Sequence, residues 1–301
     1  MKKFIFNAFL VLLVATHVAI ANEHPKQLLD EKLSKWEVFI GVPHESVSIP
    51  GFSAFTSKDG QTGTPLGLGK DPLSVFTVEM EDGKPMLHIS GQIYGGLTSK
   101  EEFENFHFSC QFKWGEKKWE PRLKDKRDSG ILYHCVGEHG VFWNVWMRCI
   151  EFQVQEGDCG DFITLAGTTG DVRISKEADA KDFHFDSSAP LYTDVGYAKH
   201  APSTEKPHGE WNTLEIYTLG GTAVHIVNGE PINVAFETRQ NAPGGNGHVP
   251  LEKGKIQIQS EAAEIFYRDM TLETISAFPE SLKELTTKPT TPTILFPRDK
   301  K

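Results

Sequence analysis

The feature that most constrains this chain is a regular two-residue alternation of apolar and polar side chains. The sequence FHFSCQFKW, from Phe106 to Trp114, places three phenylalanines and a cysteine on one face. A histidine, a serine and a glutamine lie between them and face the other way. This period of two is typical of a β-strand that buries one face, so we predict a strand here.

Strand patterns of the same kind recur along the chain, at residues 131–136, 147–155, 211–219, 223–227, 255–259 and 265–274. Turns rich in Gly, Asn, Asp and Pro separate them, and the best helical pattern is a short one around His24 to Leu33. Many strands and few helices predict an all-β fold of two stacked antiparallel sheets. Two long stretches, 41–71 and 157–207, are expected to be ordered loops over one face.

The N-terminus has the pattern of an export signal. Lys2 and Lys3 precede a largely apolar run, and Ala19-Ile20-Ala21 offers a small-x-small cleavage pattern. We predict a signal peptide at 1–21, one domain at 22–276 and a loosely ordered tail, rich in Lys, Thr and Pro, at 277–301. The mature protein is then periplasmic or secreted, since no later stretch reaches the roughly 20 apolar residues that a membrane helix needs.

Charge and motif content exclude several classes of function. The formal net charge is -10, and removing residues 1–21, which hold two lysines and no acid, would make it -12. A nucleic acid partner is not expected, because phosphates require basic patches. We find no Walker loop, dinucleotide-binding glycine pattern, HExxH or GxSxG motif. An oxidising compartment permits disulfides among Cys110, Cys135, Cys149 and Cys159, and the sequence does not choose a pairing.

The segment Arg148 to Asp161 (RCIEFQVQEGDCGD) is the most informative for chemistry. As a strand it places Glu151, Gln153 and Gln155 on one face and apolar residues on the other, and Glu156 follows in the acidic loop. A solvated outer face of an antiparallel sheet would show the same alternation, and both readings stay open at this point.

A second strand repeats the pattern, with Gln257, Gln259 and Glu261 alternating with smaller or apolar residues. Amide and carboxylate groups held on rigid strands suit the hydroxyl groups of sugars, because each donates or accepts in fixed directions. Trp143 could supply a flat surface on which a sugar ring stacks, although core packing is the more common role of a tryptophan. Carbohydrate is therefore the predicted partner.

A turn at Asp128-Ser129-Gly130 enters a third strand, on which His134 points opposite Tyr133. His134 could act as a base or a metal ligand, or simply form structural hydrogen bonds. Asp128 could contact substrate or pair with the adjacent Arg127. We count Asp128 and Glu156 among the predicted substrate contacts.

Five motifs, in order along nearly the whole mature chain, resemble those of one family. They are Asp128-Ser129-Gly130-Ile131, Glu151-Phe152-Gln153, Gly209-Glu210-Trp211-Asn212, Asn228-Gly229, and Gly254 to Gln259 followed by Phe266-Tyr267-Arg268-Asp269. The family is the 3-keto-disaccharide hydrolase domain family. The resemblance implies a concanavalin A-like jelly-roll sandwich and cleavage of glycosides that carry a ketone at C3.

The chemistry implied by this resemblance removes the acidified C2 proton, expels the C1 substituent and adds water. We expect Glu151 or His134 to act as the base, and Arg268 to polarise the ketone oxygen. A divalent metal, for which Glu151, Glu156 and His134 are candidate ligands, is the alternative polariser. Gln153, Gln259 and Glu261 would orient the sugar. The alternatives are a conventional glycosidase using Glu151 with Glu156 or Asp158, and a non-catalytic lectin-like protein.

Overall fold

Strands make up most of the regular structure, as the alternation predicts. The computed structural model of the chain describes residues 25–178, 180–290 and 293–297. Its strands are β1 (Lys26–Gln27), β2 (Trp36–Ile40), β3 (Gly67–Leu68), β4 (Phe76–Glu81), β5 (Lys84–Ile89), β6 (Gly95–Ser99), β7 (Phe103–Glu104), β8 (Phe106–Lys118), β9 (Asp128–Val136), β10 (Arg148–Gln155), β11 (Phe162–Leu165), β12 (Thr168–Ser175), β13 (His184–Phe185), β14 (Leu191–Val195), β15 (Tyr197–Ala198), β16 (Asn212–Leu219), β17 (Thr222–Val227), β18 (Glu230–Asn241), β19 (His248–Pro250), β20 (Lys253–Ser260), β21 (Ala263–Thr274) and β22 (Ile294–Leu295). A 3-10 turn at Glu280–Leu282 runs into one short helix, α1 (Lys283–Thr286).

These strands form two sheets. The large sheet has the order β22-β14-β12-β18-β17-β16-β8-β21-β5-β4, with β1, β13 and β19 pairing at its margins. The small sheet has the order β15-β11-β10-β9-β20-β6-β2-β3, with β7 pairing onto β20. Pairing between these strands is antiparallel apart from β14 with β22. The predicted all-β sandwich, and the jelly-roll architecture that the family resemblance implied, are confirmed.

Alternation along the strands builds the core between the sheets. Buried and half-buried residues alternate along most of β8. The neighbouring strand β16, which pairs with β8, shows the same alternation. Phe108 and Phe112 from the large sheet join Ile150, Phe152 and Ile258 from the small sheet in one apolar cluster. The opposite face of the small sheet is left to carry Glu151 and its polar neighbours. This division of faces positions the candidate site.

The Asn-Gly pair between β17 and β18 shows how local sequence fixes strand pairing. Val227 pairs with Glu230, so only two residues form the connection. Asn228 and Gly229 both have positive φ angles, 52° and 86°. A type I′ hairpin turn requires positive φ at both positions, which asparagine and glycine adopt most easily. The predicted turn is therefore present.

Two sequence-based expectations differ from the structure. Pro25 to Leu33, the described part of the expected first helix, contains β1 and a turn, because the segment adds an edge strand to β21. The expected loop at 157–207 contains β11 to β15, which extend both sheets. Four of the five strands β11 to β15 have only two to five residues, and β12 begins with the polar or small residues Thr168 to Asp171, so the sequence pattern underestimates them.

The end of the described chain contacts the sandwich at several points. Leu282 is buried in the main core, and Leu285 and Phe296 pack against it. Lys288 forms ion pairs with Asp171 and Glu237. The segment predicted as a tail thus carries specific contacts at these positions.

The structure also bears on the cysteines, the membrane-spanning helices and the signal peptide considered in the sequence. All four cysteines are buried as free thiols. No helix in the described ranges is long and apolar enough to cross a bilayer. The predicted signal peptide, residues 1–21, lies outside the described residues.

Candidate functional site

The acid and amide side chains predicted on separate strands meet on the outer face of the small sheet. β9 lies between β10 and β20, with Leu132 opposite both Glu151 and Gln257. Gln259 donates a side-chain hydrogen bond to Glu151, which helps to keep the pKa of this carboxyl from rising further. The two strands singled out from the sequence therefore share one surface.

Gly130 makes this meeting possible. A Cβ atom built at Gly130 would lie 2.3 Å from Oε1 of Gln259 and 2.6 Å from Oε1 of Glu151. Real Cβ atoms do not come this close to other heavy atoms, so the two side chains occupy the space that a larger residue would fill. The glycine of the Asp-Ser-Gly motif has a physical role: it leaves room above β9 for Glu151 and Gln259.

One arginine joins two further carboxylates to the group. Nη2 of Arg122 lies 2.5 Å from Oδ2 of Asp128, and Nη1 donates to Oε1 of Glu261 at 2.6 Å. Gln155 donates from Nε2 to the same Asp128 oxygen at 2.5 Å. We call Arg122, Asp128, Glu151, Gln259 and Glu261 the acid cluster. Its three carboxyl groups are between 2% and 5% exposed, so the cluster is almost fully buried.

Ionising all three carboxyl groups around one guanidinium would carry a large cost in free energy. Burial, and then the charge of Asp128, raise the pKa of Glu151 to about 8. Burial raises the pKa of Asp128 to about 7, although Arg122 opposes the shift. Burial and Asp128 also raise the pKa of Glu261 well above its usual range. Because Arg122 holds Asp128 and Glu261 directly, Glu151 is the carboxyl best placed to carry a proton near neutral pH.

Several buried polar atoms in and beside the cluster have no hydrogen-bond partner within the described residues. They comprise one donor, Nε of Arg122, and three acceptors: Oδ1 of Asp128, Oε1 of Gln153 and Oε1 of Gln259. Buried polar atoms in folded proteins are almost always satisfied, and exceptions often mark a functional site. A ligand with one acceptor and several hydroxyl donors would satisfy this set.

A second polar group lies beside the cluster, across β10. The hydroxyl of Tyr197 donates to Oδ2 of Asp161 at 2.7 Å, and the backbone N–H of His200 donates to Oδ1 at 2.8 Å. Burial raises the pKa of Asp161 to about 6. Burial also lowers the pKa of His200.

The structure does not bring Arg268 or His134 to the acid cluster. Arg268 lies on β21 of the large sheet, where it donates to Gln111 and stacks over Trp211 at 3.9 Å. The register of β9 shifts at His134, so the ring leaves the alternation and packs edge-on against Phe106. Burial lowers the pKa of His134 to about 4. His134, predicted as a base, and Arg268, predicted as the polariser, therefore lie apart from the acid cluster.

The remaining predicted contacts lie at the edge of the site or outside it. Glu156 accepts from Nη1 of Arg127 at 2.9 Å, so its carboxylate is already paired. Trp143 is 40% exposed and stacks on Phe142 at 5.0 Å. Gln153, half-buried, separates the acid cluster from Asp161.

The metal ligands suggested by the sequence are not assembled. Among the described residues, no group of three or more His, Cys, Asp or Glu side chains is arranged to hold a metal ion. His134 is turned toward Phe106, and Glu156 is paired with Arg127. The donor set proposed from the sequence does not fit a divalent cation.

Sequence reasoning missed Arg122 and His200. Arg122 lies in an irregular segment and reaches Glu261, which is 139 positions away in the chain. His200 follows β15, in the stretch expected to be a loop. Asp161 stood out only as one of several acids after β10. A lone basic residue between two strands gives no periodic signal, so nothing local distinguishes Arg122.

Comparison with known proteins supports the family resemblance. A family model described as the 3-keto-alpha-glucoside-1,2-lyase-like domain matches residues 25–273, which confirms the resemblance seen in the motifs. No curated protein matches the sequence significantly.

Solved structures of similar fold include several carbohydrate-related proteins. One, from Parabacteroides distasonis ATCC 8503 and provisionally described as a glycosyl hydrolase, is 18% identical over 69% of this chain and 93% of its own, with a TM-score of 0.41. Alginate lyase AlyC3 is 10% identical over 79% of this chain and 89% of its own, with a TM-score of 0.41. The carbohydrate-binding module CBM66 from Bacillus subtilis is 9% identical over 66% of this chain and 92% of its own, with a TM-score of 0.38. Similarities this low do not transfer an activity.

Proposed function

We propose a glycoside-cleaving function from the premise that the chain belongs to the family of 3-keto-alpha-glucoside-1,2-lyase-like domains. The substrate would be a glycoside already oxidised to a ketone at C3. The predicted signal peptide places this activity outside the cytoplasm, and carbohydrate is the only partner that we propose.

The observation that carries the proposal is the acid cluster. Glu151 is buried beside two other carboxyl groups, with a single guanidinium to offset their charge. Burying such a group lowers the stability of the fold, because each buried carboxylate loses its hydration. Its presence therefore indicates a purpose other than stability. Strongly shifted pKa values of carboxyl groups that lie beside unpaired polar atoms are characteristic of sites that move protons. A protein that only binds sugars has no need for them.

Glu151 is the proposed base, and it acts in its ionised form, which is the minor form at neutral pH and reaches half of the molecules near pH 8. A ketone at C3 acidifies the proton on C2, and a carboxylate whose pKa is about 8 binds that proton more strongly than an ordinary glutamate would. Once Glu151 has taken the C2 proton, the electron pair shifts to form a C1–C2 double bond and the C1–O bond breaks. The departing alkoxide takes a proton from solvent, and elimination also requires that the charge developing on the ketone oxygen is stabilised.

Arg122 is the proposed source of that stabilisation, in place of Arg268. Its Nε–H is buried and has no acceptor within the described residues. A ketone oxygen that accepts this hydrogen bond would gain charge in the presence of a fixed cation. The free acceptors on Asp128, Gln153 and Gln259 would take hydrogen bonds from the sugar hydroxyls.

The proposal is tested by following sugar release from a disaccharide oxidised at C3 and from the same disaccharide unmodified. The wild type is expected to cleave only the oxidised substrate. Glu151→Gln removes the base and keeps the volume, so turnover should fall by about 100-fold or more. Glu215→Gln is the matched control, since Glu215 lies on the large sheet and pairs with His107.

Each alternative has its own result in this assay. Cleavage of the unmodified disaccharide would indicate a conventional glycosidase, and binding without release would indicate a lectin-like protein. Unchanged turnover in Glu151→Gln would remove Glu151 from the mechanism. A chelator, added to the same reaction, tests the divalent metal that the sequence left open.

A further inference from the structure

A histidine and an aspartate beside the acid cluster form a pair that the elimination does not use. Nδ1 of His200 lies 3.3 Å from Oδ1 of Asp161. The Asp161 carboxylate is held on both oxygens, by the Tyr197 hydroxyl and the His200 backbone N–H. Asp161 is therefore fixed in place, and it faces Nδ1 of the imidazole.

The His200 ring has the properties of a group that awaits a ligand. Its side chain is 11% exposed, and neither ring nitrogen makes a hydrogen bond within the described part of the chain. A structural histidine at this depth would normally satisfy both nitrogens. With Asp161 facing Nδ1, the nitrogen left free is Nε2.

This pair belongs to the same surface as the acid cluster. The backbone N–H of Gln153 donates to the carbonyl of Asp161 at 3.1 Å, so Asp161 lies beside Gln153 on the neighbouring chain segment. Glu151 is two residues further along β10, which makes it the diagonal neighbour of Asp161. Diagonal neighbours on adjacent strands have side chains roughly 7–8 Å apart, so one bound sugar could contact both residues. The charge of Asp161 contributes to the raised pKa of Glu151, which agrees with this proximity.

We propose that His200, positioned by Asp161, is the general base that activates water for addition to C1 after the leaving group has departed. This inference rests on the proposed function and extends it from elimination to complete hydrolysis. The two residues would then act in different steps. Glu151 removes the C2 proton in the elimination, and His200 accepts a proton from water in the hydration.

Water adds across the C1–C2 double bond with His200 as the base. Neutral His200 takes a proton from water at Nε2, and the oxygen forms a bond to C1 of the unsaturated ketone. The electron pair of the C1–C2 double bond moves toward the ketone oxygen, and C2 then takes back the proton held by Glu151. The imidazolium returns its proton to solvent, which offsets the proton that the departing alkoxide took from solvent. No oxidant or reductant is needed.

Charged groups around His200 define its electrostatic setting. Burial is the largest influence on the ring and lowers the pKa of His200. The charges of Lys199 and Lys126 act in the same direction, and the charge of Asp158 opposes them. A neutral imidazole is thus available at neutral pH to accept a proton. Asp161→Asn would leave the ring in place but remove the carboxylate that faces Nδ1.

The experiment measures elimination and hydration separately. With a disaccharide oxidised at C3, one channel follows the released sugar and another follows the unsaturated ketone by its ultraviolet absorbance. His200→Ala should release the leaving sugar at close to the wild-type rate, while hydrated product forms about 100-fold more slowly and the unsaturated ketone accumulates. Asp161→Asn should slow hydration more than elimination, and it should move the pH profile of elimination slightly toward lower pH, because the charge of Asp161 also contributes to the raised pKa of Glu151. His184→Ala is the control, since His184 contacts Ser175 at the edge of the large sheet.

A second measurement keeps this inference separate from the proposed function. The unsaturated 3-keto sugar is supplied directly, so hydration is followed without any elimination. Loss of hydration in His200→Ala supports the inference even if Glu151 proves not to be the base. Equal loss of elimination and hydration in His200→Ala, or no loss of either, would overturn it. Failure of the wild type to hydrate the supplied sugar would overturn it as well.

Discussion

Glu151 should make the stability of this protein depend on pH in a way that one substitution removes. The pKa of Glu151 is about 8 in the fold, against 4.5 for an unperturbed glutamate. Between these two values the unfolded chain has released the proton and the folded chain still holds it. The unfolded state then binds fewer protons, so the free energy of unfolding falls as pH rises through this window and levels off above it.

The size of the effect follows from the shift. One pKa unit corresponds to about 1.4 kcal/mol, so between pH 5 and pH 9 the wild type should lose about 4 kcal/mol through Glu151 alone. Glu151→Gln has no proton to lose and should keep this stability. The variant is therefore expected to be inactive but more stable than the wild type at alkaline pH.

Urea unfolding at pH 5 and pH 9, followed by intrinsic tryptophan fluorescence, measures the effect. The wild type should lose several kcal/mol more than Glu151→Gln between the two pH values. Glu230→Gln, at an exposed position at the start of β18 in the large sheet, should follow the wild type. If the wild type and Glu151→Gln lose stability in parallel, Glu151 does not hold a proton in the folded state, and the account of the acid cluster given above is wrong.

Further expectations concern the glycine, the arginine, the thiols and the N-terminus. Gly130→Ala should destabilise the fold by about 1–3 kcal/mol and lower turnover more strongly, because it displaces the side chains above it, whereas Gly196→Ala, whose nearest neighbour would be 3.6 Å away, should do neither. Arg122→Gln should cost about 3–5 kcal/mol in urea unfolding at pH 7 and less at pH 5, where the two carboxyl groups it leaves unpaired take up protons; an equal cost at both would contradict the ion pairing. The four buried cysteines should react with a thiol reagent only after unfolding, and then as four groups; any that stay unreactive would indicate a disulfide. Mass spectrometry of the exported protein should show Asn22 as its first residue, and an intact N-terminus would disprove the signal peptide.

The acid cluster illustrates how far the sequence could be interpreted. The alternation in β10 assigned Glu151 and Gln153 to one face, and the alternation in β20 did the same for Gln259. Both assignments agree with the structure, because the side-chain direction in a strand depends only on its own sequence period. The pattern did not predict that β9 lies between these strands, or that Gly130 leaves the space in which the two side chains meet.

Two of the predicted site residues lie away from the acid cluster for a common physical reason. The family resemblance implied that Arg268 polarises the ketone oxygen, yet its strand, β21, belongs to the large sheet. His134 was placed by simple alternation, which a register shift in β9 interrupts. The sheet to which a strand belongs and the position of a bulge are tertiary features, which neither a motif resemblance nor strict alternation reveals.

The sequence by itself determined that the chain forms strands, which face of each strand is apolar, and where tight turns such as Asn228-Gly229 fall. These properties depend on neighbouring residues and are encoded locally. The tertiary structure alone decided that Arg122 would hold both Asp128 and Glu261, and that Asp161 would meet His200. Such contacts join residues far apart in the chain, and the burial that shifts the pKa of Glu151 exists only once the sheets have packed.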